Sequence, residues 1–199
     1  RSEYITGLLV QDMIKLWDSP KFVYDWRFSK GVLGKFKEWG IKTVRSKNGR
    51  AFMRENMVGY NADIGGELSG HIYFKEANYN EMPLLVMLRL LKIISKSGKN
   101  IRELTEQFKT WFNSGEINIA TSNLQLTASI IQKLKEKYKD GKLDELDGIM
   151  VEYSDWLFNL MPSNTEPVVR LVVEAKNKNL LDGKVAEISR LIRNYSAGG

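Results

Sequence analysis

The chain contains no cysteine and only one histidine among its 199 residues. The absence of cysteine excludes disulfides, thiolate nucleophiles and cysteine metal sites, and it suits a reducing cytoplasm, where we expect the protein to lie. One histidine cannot form a multi-histidine zinc site, and the carboxylates have no metal-ligand spacing around it. The sequence therefore predicts no metal ligands within this chain.

A long uninterrupted apolar segment is also missing. The longest apolar stretch, residues 82–94, contains Arg89 and Lys92 and is too short to cross a bilayer. We interpret this stretch as a core helix and expect no membrane partner. The chain opens at Arg1 without an initiating methionine and enters a helical pattern at once, which is typical of a fragment.

Positive charge exceeds negative charge, with 30 lysines and arginines against 24 aspartates and glutamates. The net charge of +6 favours anionic ligands, and it also suits nucleic acid or an anionic surface. The lysines of residues 133–139 are interleaved with acidic and apolar residues, as on a solvated helix face. We therefore expect no nucleic-acid partner.

Residues 65–71 (GGELSGH) combine three glycines with Glu67, Ser69 and His71. Glycine permits tight turns and close backbone approaches, and in an extended loop the three polar side chains would share one face. A carboxylate beside a hydroxyl and an imidazole suits a ligand rich in hydroxyl groups, such as a sugar. The alternative is a glycine-rich turn whose polar groups only satisfy the backbone.

Residues 162–167 (PSNTEP) place two prolines around three small hydrogen-bonding residues. Backbone amides and the side chains of Ser163, Asn164 and Thr165 could converge on one anion, with Arg170 as a cationic support. This pattern indicates a phosphate-binding loop. The alternative is an ordinary rigid turn between strands.

Hydrophobic periodicity predicts alternating helices and strands in the first half, followed by a different order. The predicted helices cover residues 4–17, 32–39, 49–59, 83–96, 101–108, 124–138 and 180–195. The predicted strands cover residues 22–24, 41–45, 62–64, 116–119, 148–153, 156–160 and 168–175. Residues 98–100 are the predicted boundary between an α/β unit and an α+β unit, which gives domains of residues 1–99 and 100–199.

The two loops, at this separation, resemble the sugar-selecting loop and the phosphate-binding loop of the α-D-phosphohexomutases, the phosphomannomutase/phosphoglucomutase family. The resemblance covers essentially the whole chain and extends to residues 23–27, 110–118, 147–149 and 170–175. It identifies the chain as the C-terminal half, the third and fourth of four domains around a central cleft. It implies a three-layer α/β/α sugar-recognition domain, followed by a phosphate-binding domain whose α+β fold is similar to the TATA-binding-protein repeat.

The resemblance also implies an activity. Family members interconvert hexose 1-phosphates and 6-phosphates of mannose or glucose through a phosphoserine and a hexose 1,6-bisphosphate intermediate. The serine and the aspartate-rich loop that holds Mg²⁺ belong to the first two domains, and no similar aspartate cluster occurs here. We therefore expect the missing N-terminal domains as partners, magnesium ligands outside this chain and no catalysis by this chain alone.

On that resemblance, the sugar-binding residues are Glu67, Ser69, His71, Arg27 and Arg50, and the phosphate-binding residues are Ser163, Asn164, Thr165 and Arg170. Several positions depart from the family pattern. Met161 stands where an arginine usually precedes the phosphate loop, which removes a bidentate phosphate partner. Arg50 follows Gly49 where a histidine is frequent, and residues 81–82 replace a common Asp-Gly. Arg27, Arg50 and Arg170 could also be structural or surface arginines.

Two other functions remain open. The chain could be a free-standing sugar-phosphate binding module without catalysis, with Met161 and Arg50 reflecting that role. The basic charge and the second domain could instead indicate a nucleic-acid binder, which predicts salt-sensitive binding that sugar phosphates do not compete. The sequence does not distinguish mannose, glucose and amino-sugar substrates.

Overall fold

The computed structural model describes residues 1–121, 124–163 and 166–197. The chain forms two compact units, Arg1–Thr110 and Trp111–Gly199. The first unit contains helices α1 (Ser2–Met13), α2 (Lys30–Glu38), α3 (Arg50–Tyr60), α4 (Pro83–Ser97) and α5 (Ile101–Thr105), and strands β1 (Lys21–Asp25), β2 (Lys42–Ser46), β3 (Ile64–Gly66), β4 (Ile72–Phe74) and β5 (Asn80–Glu81). The second unit contains helices α6 (Leu124–Lys137) and α7 (Lys178–Ala197), and strands β6 (Phe112–Asn113), β7 (Ile117–Ala120), β8 (Lys142–Asp144), β9 (Ile149–Glu152), β10 (Trp156–Pro162) and β11 (Val168–Ala175).

The sheet of the first unit has the strand order β2-β1-β3-β4-β5. Strand β1 runs parallel to both β2 and β3, while β4 pairs antiparallel with β3 and β5 antiparallel with β4. Successive residues of β1 point to opposite faces, as a pleated strand requires. Phe22 joins the core formed with α1 and α2, whereas Val23 packs with Met53 and Met57 of α3. Helices thus cover both faces, and the predicted α/β/α fold is confirmed.

The end of the first unit is fixed by Phe108. This side chain is fully buried in the core on the α1 and α2 side, and its ring lies edge-on to Trp39 at 6.2 Å. A Cβ atom on Gly31 would lie 2.2 Å from the Phe108 carbonyl oxygen, so α2 approaches this segment closely. The compact units therefore divide after Thr110, whereas the sequence placed the boundary between residues 99 and 100.

The second unit is an antiparallel sheet with both its helices on one face. Its strand order is β6-β11-β10-β9-β8, and β7 also pairs with β11. Alternate residues of β9, β10 and β11 form one core with α6 and α7: Ile149, Val151, Phe158, Leu160, Leu171 and Val173 from the strands, and Ile130, Leu134, Leu181, Ile188 and Ile192 from the helices. This architecture confirms the predicted α+β fold.

Helix α4 differs from its prediction. The apolar stretch at residues 82–94 was expected to be a core helix, but none of the α4 residues is buried. One side of the helix packs on α1, where Arg89 and Lys92 both bind Asp12. Four large side chains on the helix are half exposed or more: Leu84, Met87, Leu88 and Leu91. The prediction was wrong because this sequence is apolar on more than one side of the helix, while only one side is covered.

Within the described ranges, no helix is both long enough and apolar enough to cross a membrane.

Candidate functional site

The glycine-rich stretch forms the connection between β3 and β4. Gly65 pairs with Tyr73 and Gly66 with Ile72, so residues 67–71 are the loop of an antiparallel hairpin. The Glu67 N–H donates to the His71 carbonyl at 3.0 Å, and the Gly70 N–H donates to the Glu67 carbonyl at 3.0 Å. Gly70 has φ +97°, a conformation that glycine adopts without strain. The hairpin closes here because glycine stands at this position.

Gly65 is required for a second reason, which is packing. A Cβ atom at this position would lie 2.6 Å from Met57 Sδ and 3.3 Å from the Val23 carbonyl oxygen. Helix α3 therefore lies directly against the backbone of β3. The first glycine of the motif brings α3, and with it the residues that precede this helix, close to the loop.

The Glu67 carboxylate is buried at 3% exposure and receives hydrogen bonds from two directions. The backbone N–H of Gly49, immediately before α3, donates to Oε1 at 3.0 Å. The Tyr73 hydroxyl donates to Oε2 at 3.2 Å. A buried carboxylate is costly unless such partners compensate for lost hydration, so these two contacts stabilise and orient the charge.

Ser69 and His71 lie on the same side as Glu67 but are exposed. His71 Nδ1 lies 3.0 Å from Glu67 Oε2, and the Ser69 hydroxyl lies 2.8 Å from His71 Nδ1 and 3.4 Å from Glu67 Oε2. The structure therefore brings together the three polar residues that alternate in the sequence. A buried acceptor with two exposed hydrogen-bonding groups can bind adjacent hydroxyl groups of a ligand.

Arg27 takes part in a buried ion pair at the end of β1. Its Nη2 and Nε donate to Asp25 Oδ2 at 2.7 Å and Oδ1 at 3.1 Å, and both side chains are buried. Asp25 Oδ2 also lies 3.4 Å from the backbone N–H of Leu68 in the hairpin loop. Asp25 thus links the ion pair to the hairpin loop, and the Arg27 guanidinium donates its hydrogen bonds to the Asp25 carboxylate.

Arg50 begins α3 and is exposed. Its Nη2 lies 3.3 Å from Asn80 Oδ1 of β5. Its neighbour Gly49 has φ +117°, a conformation reserved largely for glycine, and this backbone geometry accompanies the N–H contact to Glu67. The structure places Arg50 next to the residue that binds Glu67, although no contact joins Arg50 to Glu67 itself in the described part of the chain.

Besides Gly49, sequence reasoning missed three residues that support the loop. Tyr73 continues the alternation of Glu67, Ser69 and His71, so the same pattern could have found it. Asp25 ends a buried strand, a position where a polar side chain is a signal. The Ser2 hydroxyl donates to the Leu68 carbonyl at 2.6 Å from the start of α1, and no local sequence pattern indicates that contact.

The proposed phosphate loop follows β10 in the second unit. Ser163 is buried at 5% exposure, and its hydroxyl has no hydrogen-bond partner among the described residues. Its backbone N–H donates to the Val168 carbonyl at 2.9 Å, which closes the loop between β10 and β11. Asn164 and Thr165 lie outside the described residues.

Arg170 lies on β11, directly opposite Met161 of β10. Its side chain is about one third exposed, and Nε lies 3.9 Å from Glu116 Oε1. Met161 is buried, and because a methionine side chain is uncharged, this position supplies no cation to the loop. The strand pairing therefore places the positive charge of Arg170 beside Met161, the position at which the family resemblance leads one to expect an arginine.

Metal binding has no support in the described part of the chain. No group of three or more histidine, aspartate or glutamate side chains there could hold a metal ion. The described residues therefore do not fit a resident Mg²⁺.

The two folds and the hairpin together indicate the class of protein. An α/β/α unit with this glycine-rich hairpin, followed by an antiparallel α+β unit, is typical of phosphohexomutase domains. Residues 1–111 match the family described as phosphoglucomutase/phosphomannomutase, alpha/beta/alpha domain III. The chain belongs to the phosphoglucomutase/phosphomannomutase family, and it corresponds to the family's C-terminal domains.

Individual relatives agree with this assignment. A phosphomannomutase of Methanocaldococcus jannaschii is 38% identical over 197 residues, which are 99% of this chain and 43% of the relative. A phosphoglucomutase/phosphomannomutase family protein of Burkholderia thailandensis has a crystal structure similar in fold, with a TM-score of 0.81, 23% identity, and coverage of 99% of this chain and 42% of that one.

A third similarity is to the N-acetylphosphoglucosamine mutase of Aspergillus fumigatus, solved in complex with glucose 1,6-bisphosphate. Its TM-score is 0.64 at 13% identity, with coverage of 98% of this chain and 42% of that one. At this identity the likeness concerns the fold alone. The chain spans less than half the length of the curated relatives and solved structures it matches.

Proposed function

We propose that this chain is the substrate-recognition part of a phosphohexomutase, an enzyme that interconverts hexose 1-phosphates and hexose 6-phosphates. The observation that carries the proposal is the Glu67 carboxylate, which is buried, fixed by Gly49 and Tyr73, and flanked by the exposed Ser69 and His71. Family membership supports the hexose phosphate as ligand.

The first unit recognises the sugar in this proposal. A carboxylate has about four acceptor positions, so Glu67 keeps capacity for sugar hydroxyls beyond its contacts to Gly49 and Tyr73. Ser69 and His71 exchange their contacts with Glu67 for contacts with the ligand. Arg50 supplies an exposed positive charge nearby, and Arg27 acts through its pair with Asp25, which holds the loop backbone.

The second unit binds a phosphate group in this proposal. Ser163 contributes a buried hydroxyl that lacks a partner among the described residues, and Arg170 contributes charge from the adjacent strand. Asn164 and Thr165 complete the set on sequence grounds. Because Met161 offers no bidentate contact, we expect phosphate affinity to be weaker than an arginine at that position would give.

The phosphoryl transfer itself is assigned to the longer protein. In our proposal a phosphoserine donates its phosphoryl group to the hexose phosphate, and the 1,6-bisphosphate then reorients before the serine takes back the other group. Both orientations must be recognised, which explains one loop for the hydroxyls and a separate loop for the phosphate that is not reacting. The serine and the Mg²⁺ ligands are proposed to lie outside this chain, which is then inactive alone.

A free-standing binding module is the second candidate. The buried Met161 favours it, because a phosphate site that has lost an arginine is better suited to reversible binding than to charge stabilisation in transfer. The intact mass of the native polypeptide from its source cells separates the two candidates. A much longer chain supports the mutase, and a chain that begins near Arg1 supports the module.

The proposal is tested by calorimetric titration of the chain with mannose 1-phosphate and glucose 1-phosphate, together with a mutase assay on the same sample. We expect saturable binding of both phosphates, no binding of the free hexoses at equal concentration, and no interconversion. Absence of phosphate-sugar binding at millimolar ligand contradicts the recognition role. Interconversion by the chain alone contradicts the assignment of catalysis to other domains.

A further inference from the structure

The most informative contact beyond the motif residues is made by Tyr73. Its ring is almost completely buried, at 1% exposure, in the cluster formed on the α3 side of the sheet with Val23, Met53 and Met57. The backbone of Tyr73 is fixed as well, because β4 pairs it with Gly65 of β3. The phenol is therefore held by packing and by its strand, and its hydroxyl donates to Glu67 Oε2 at 3.2 Å.

The Tyr73 hydroxyl acts as a donor throughout the physiological pH range. Burial raises the pKa of Tyr73 above its usual value, and the neighbouring Glu67 carboxylate raises it further because a phenolate would be repelled. The proton thus remains on the phenol and is shared with the carboxylate. Hydrogen bonds to a charged acceptor are among the stronger ones in proteins.

The four groups around Glu67 differ in how freely they can move. Ser69 and His71 are exposed and belong to the loop, so they can turn toward a ligand. The Gly49 N–H and the Tyr73 hydroxyl are held by the backbone before α3 and by the packed core, and they bind different oxygens of the carboxylate. These two contacts would persist when the loop residues exchange partners.

We propose that Tyr73 is a positioning residue, whose hydroxyl keeps the Glu67 carboxylate in its ligand-binding orientation while Ser69 and His71 engage the sugar. This inference rests on the proposed function of Glu67. It assigns a role to a strand residue outside the loop motif, and the role depends on the hydroxyl rather than on the aromatic ring. Replacement by phenylalanine keeps the packing and removes only the donor.

The test is a double-mutant cycle on the affinity for glucose 1,6-bisphosphate, measured by NMR titration of the chain. The variants are Tyr73→Phe, Glu67→Gln and the double substitution. We expect Tyr73→Phe to raise Kd about 10-fold in the original chain, as for loss of a hydrogen bond to a charged group. In the Glu67→Gln background we expect a change of less than about twofold, because the carboxylate that Tyr73 orients is gone.

Tyr79→Phe is the matched control. Tyr79 packs against the same cluster, but its hydroxyl lies 3.3 Å from Asn61 Oδ1 rather than near Glu67. The Kd of the Tyr79→Phe variant for glucose 1,6-bisphosphate should equal that of the original chain. Equal losses from Tyr73→Phe in both backgrounds, or no loss in either, would overturn the positioning role. An original chain that fails to bind the bisphosphate would overturn the proposed function, and the positioning role with it.

Discussion

Glu67 differs from most glutamates in having its carboxylate almost fully buried next to exposed hydrogen-bonding groups. A surface glutamate gains little by pairing with a loop residue, because water competes for both partners. Here the Gly49 N–H and the Tyr73 hydroxyl take the place of that water before any ligand binds. The carboxylate is already oriented, so binding costs less conformational entropy. This preorganisation is the physical reason why our proposal gives Glu67 a larger part in sugar recognition than the exposed Arg50.

The contrast between Glu67 and Arg50 gives a direct prediction. Glu67→Ala should raise Kd for a hexose phosphate by about 10-fold or more, since sugar hydroxyls lose a charged acceptor. Arg50→Ala should raise it by less than about threefold, because an exposed arginine contributes weakly. Titrations of both variants against the same ligand, with Tyr79→Phe as a neutral reference, measure the difference. Equal losses, or a larger loss for Arg50→Ala, contradict the assignment.

The sequence predicted part of this arrangement, and the reason is local. Glu67, Ser69 and His71 lie within five residues of one loop, so proximity along the chain was enough to group them, although the loop is a hairpin turn rather than the extended segment that was expected. Gly49 and Asp25 approach the loop from other strands and helices, and such contacts depend on the order of strands in the sheet. Nothing in the spacing along the chain encodes that order. Asn164 and Thr165, predicted to bind phosphate, lie outside the described residues.

At the scale of the elements, the close packing of α3 on β3 positions the hairpin loop of residues 67–71. Met57 lies against the backbone at Gly65, with no room for a side chain between them. Packing against α3 therefore fixes how closely β3 approaches the helix. Gly49, immediately before the helix, binds Glu67. Any increase in bulk at Gly65 would push the helix and the loop apart.

Gly65→Ala should destabilise the first unit by about 1–3 kcal/mol, the usual effect of overpacking a filled core. Gly34→Ala is the matched control, because Gly34 is an exposed residue of α2 with no atom within 4 Å of an added Cβ. That substitution should stabilise the helix by about 0.5–1 kcal/mol. Urea unfolding of both variants gives the two free energies of unfolding. A stabilising effect at Gly65 would show that the close packing is absent.

In the second unit, a polar network joins the end of α6 to α7. The Tyr138 hydroxyl donates to Glu187 Oε1 at 2.8 Å, and Lys184 Nζ lies 2.9 Å from Glu187 Oε2. Partial burial by itself raises the pKa of Glu187, but the hydrogen bonds from Lys184 and Tyr138 outweigh burial and hold the pKa below its usual value. The charged form of Glu187 is therefore the one that stabilises the folded state.

This network predicts a pH dependence of stability. A lowered pKa in the folded state gives stabilisation that is present above the unfolded pKa, about 4.3, and is lost as the pH falls through the folded value. Glu187→Gln should cost up to about 1 kcal/mol near pH 7, since the side chain is partly solvated, and the cost should shrink below about pH 4. Asp182→Asn, at an exposed pair on the same helix, should show little effect at either pH. A Glu187→Gln effect that persists unchanged at low pH contradicts the network.

The elements also show where sequence patterns fail. Long periodic segments such as α3 and β11 were predicted close to their observed ends. Strands β4, β5, β6 and β8 were not predicted, because two or three residues are too few to display an alternation. These strands form by pairing with neighbours already in the sheet, so tertiary structure rather than local preference determines them.

At the scale of the whole molecule, two compact units each have their own core and each carry one proposed recognition element. The net charge of +6 agrees with anionic ligands without distinguishing among them. In our proposal the two loops have different ligand groups: the buried acceptor Glu67 suits the hydroxyl groups of a sugar, and the loop after β10 in the other unit suits its phosphate group.

The most direct test of this account is an NMR titration of the ¹⁵N-labelled chain with glucose 6-phosphate. We predict that the amides of Gly49 and residues 65–71 shift with ligand concentration along one saturable curve. The Glu67→Ala variant should lose these shifts at the same concentrations, while the Tyr79→Phe variant should retain them. Shifts confined to other surfaces, or shifts at the hairpin that persist in Glu67→Ala, would contradict the claim that this chain recognises sugar phosphates through Glu67.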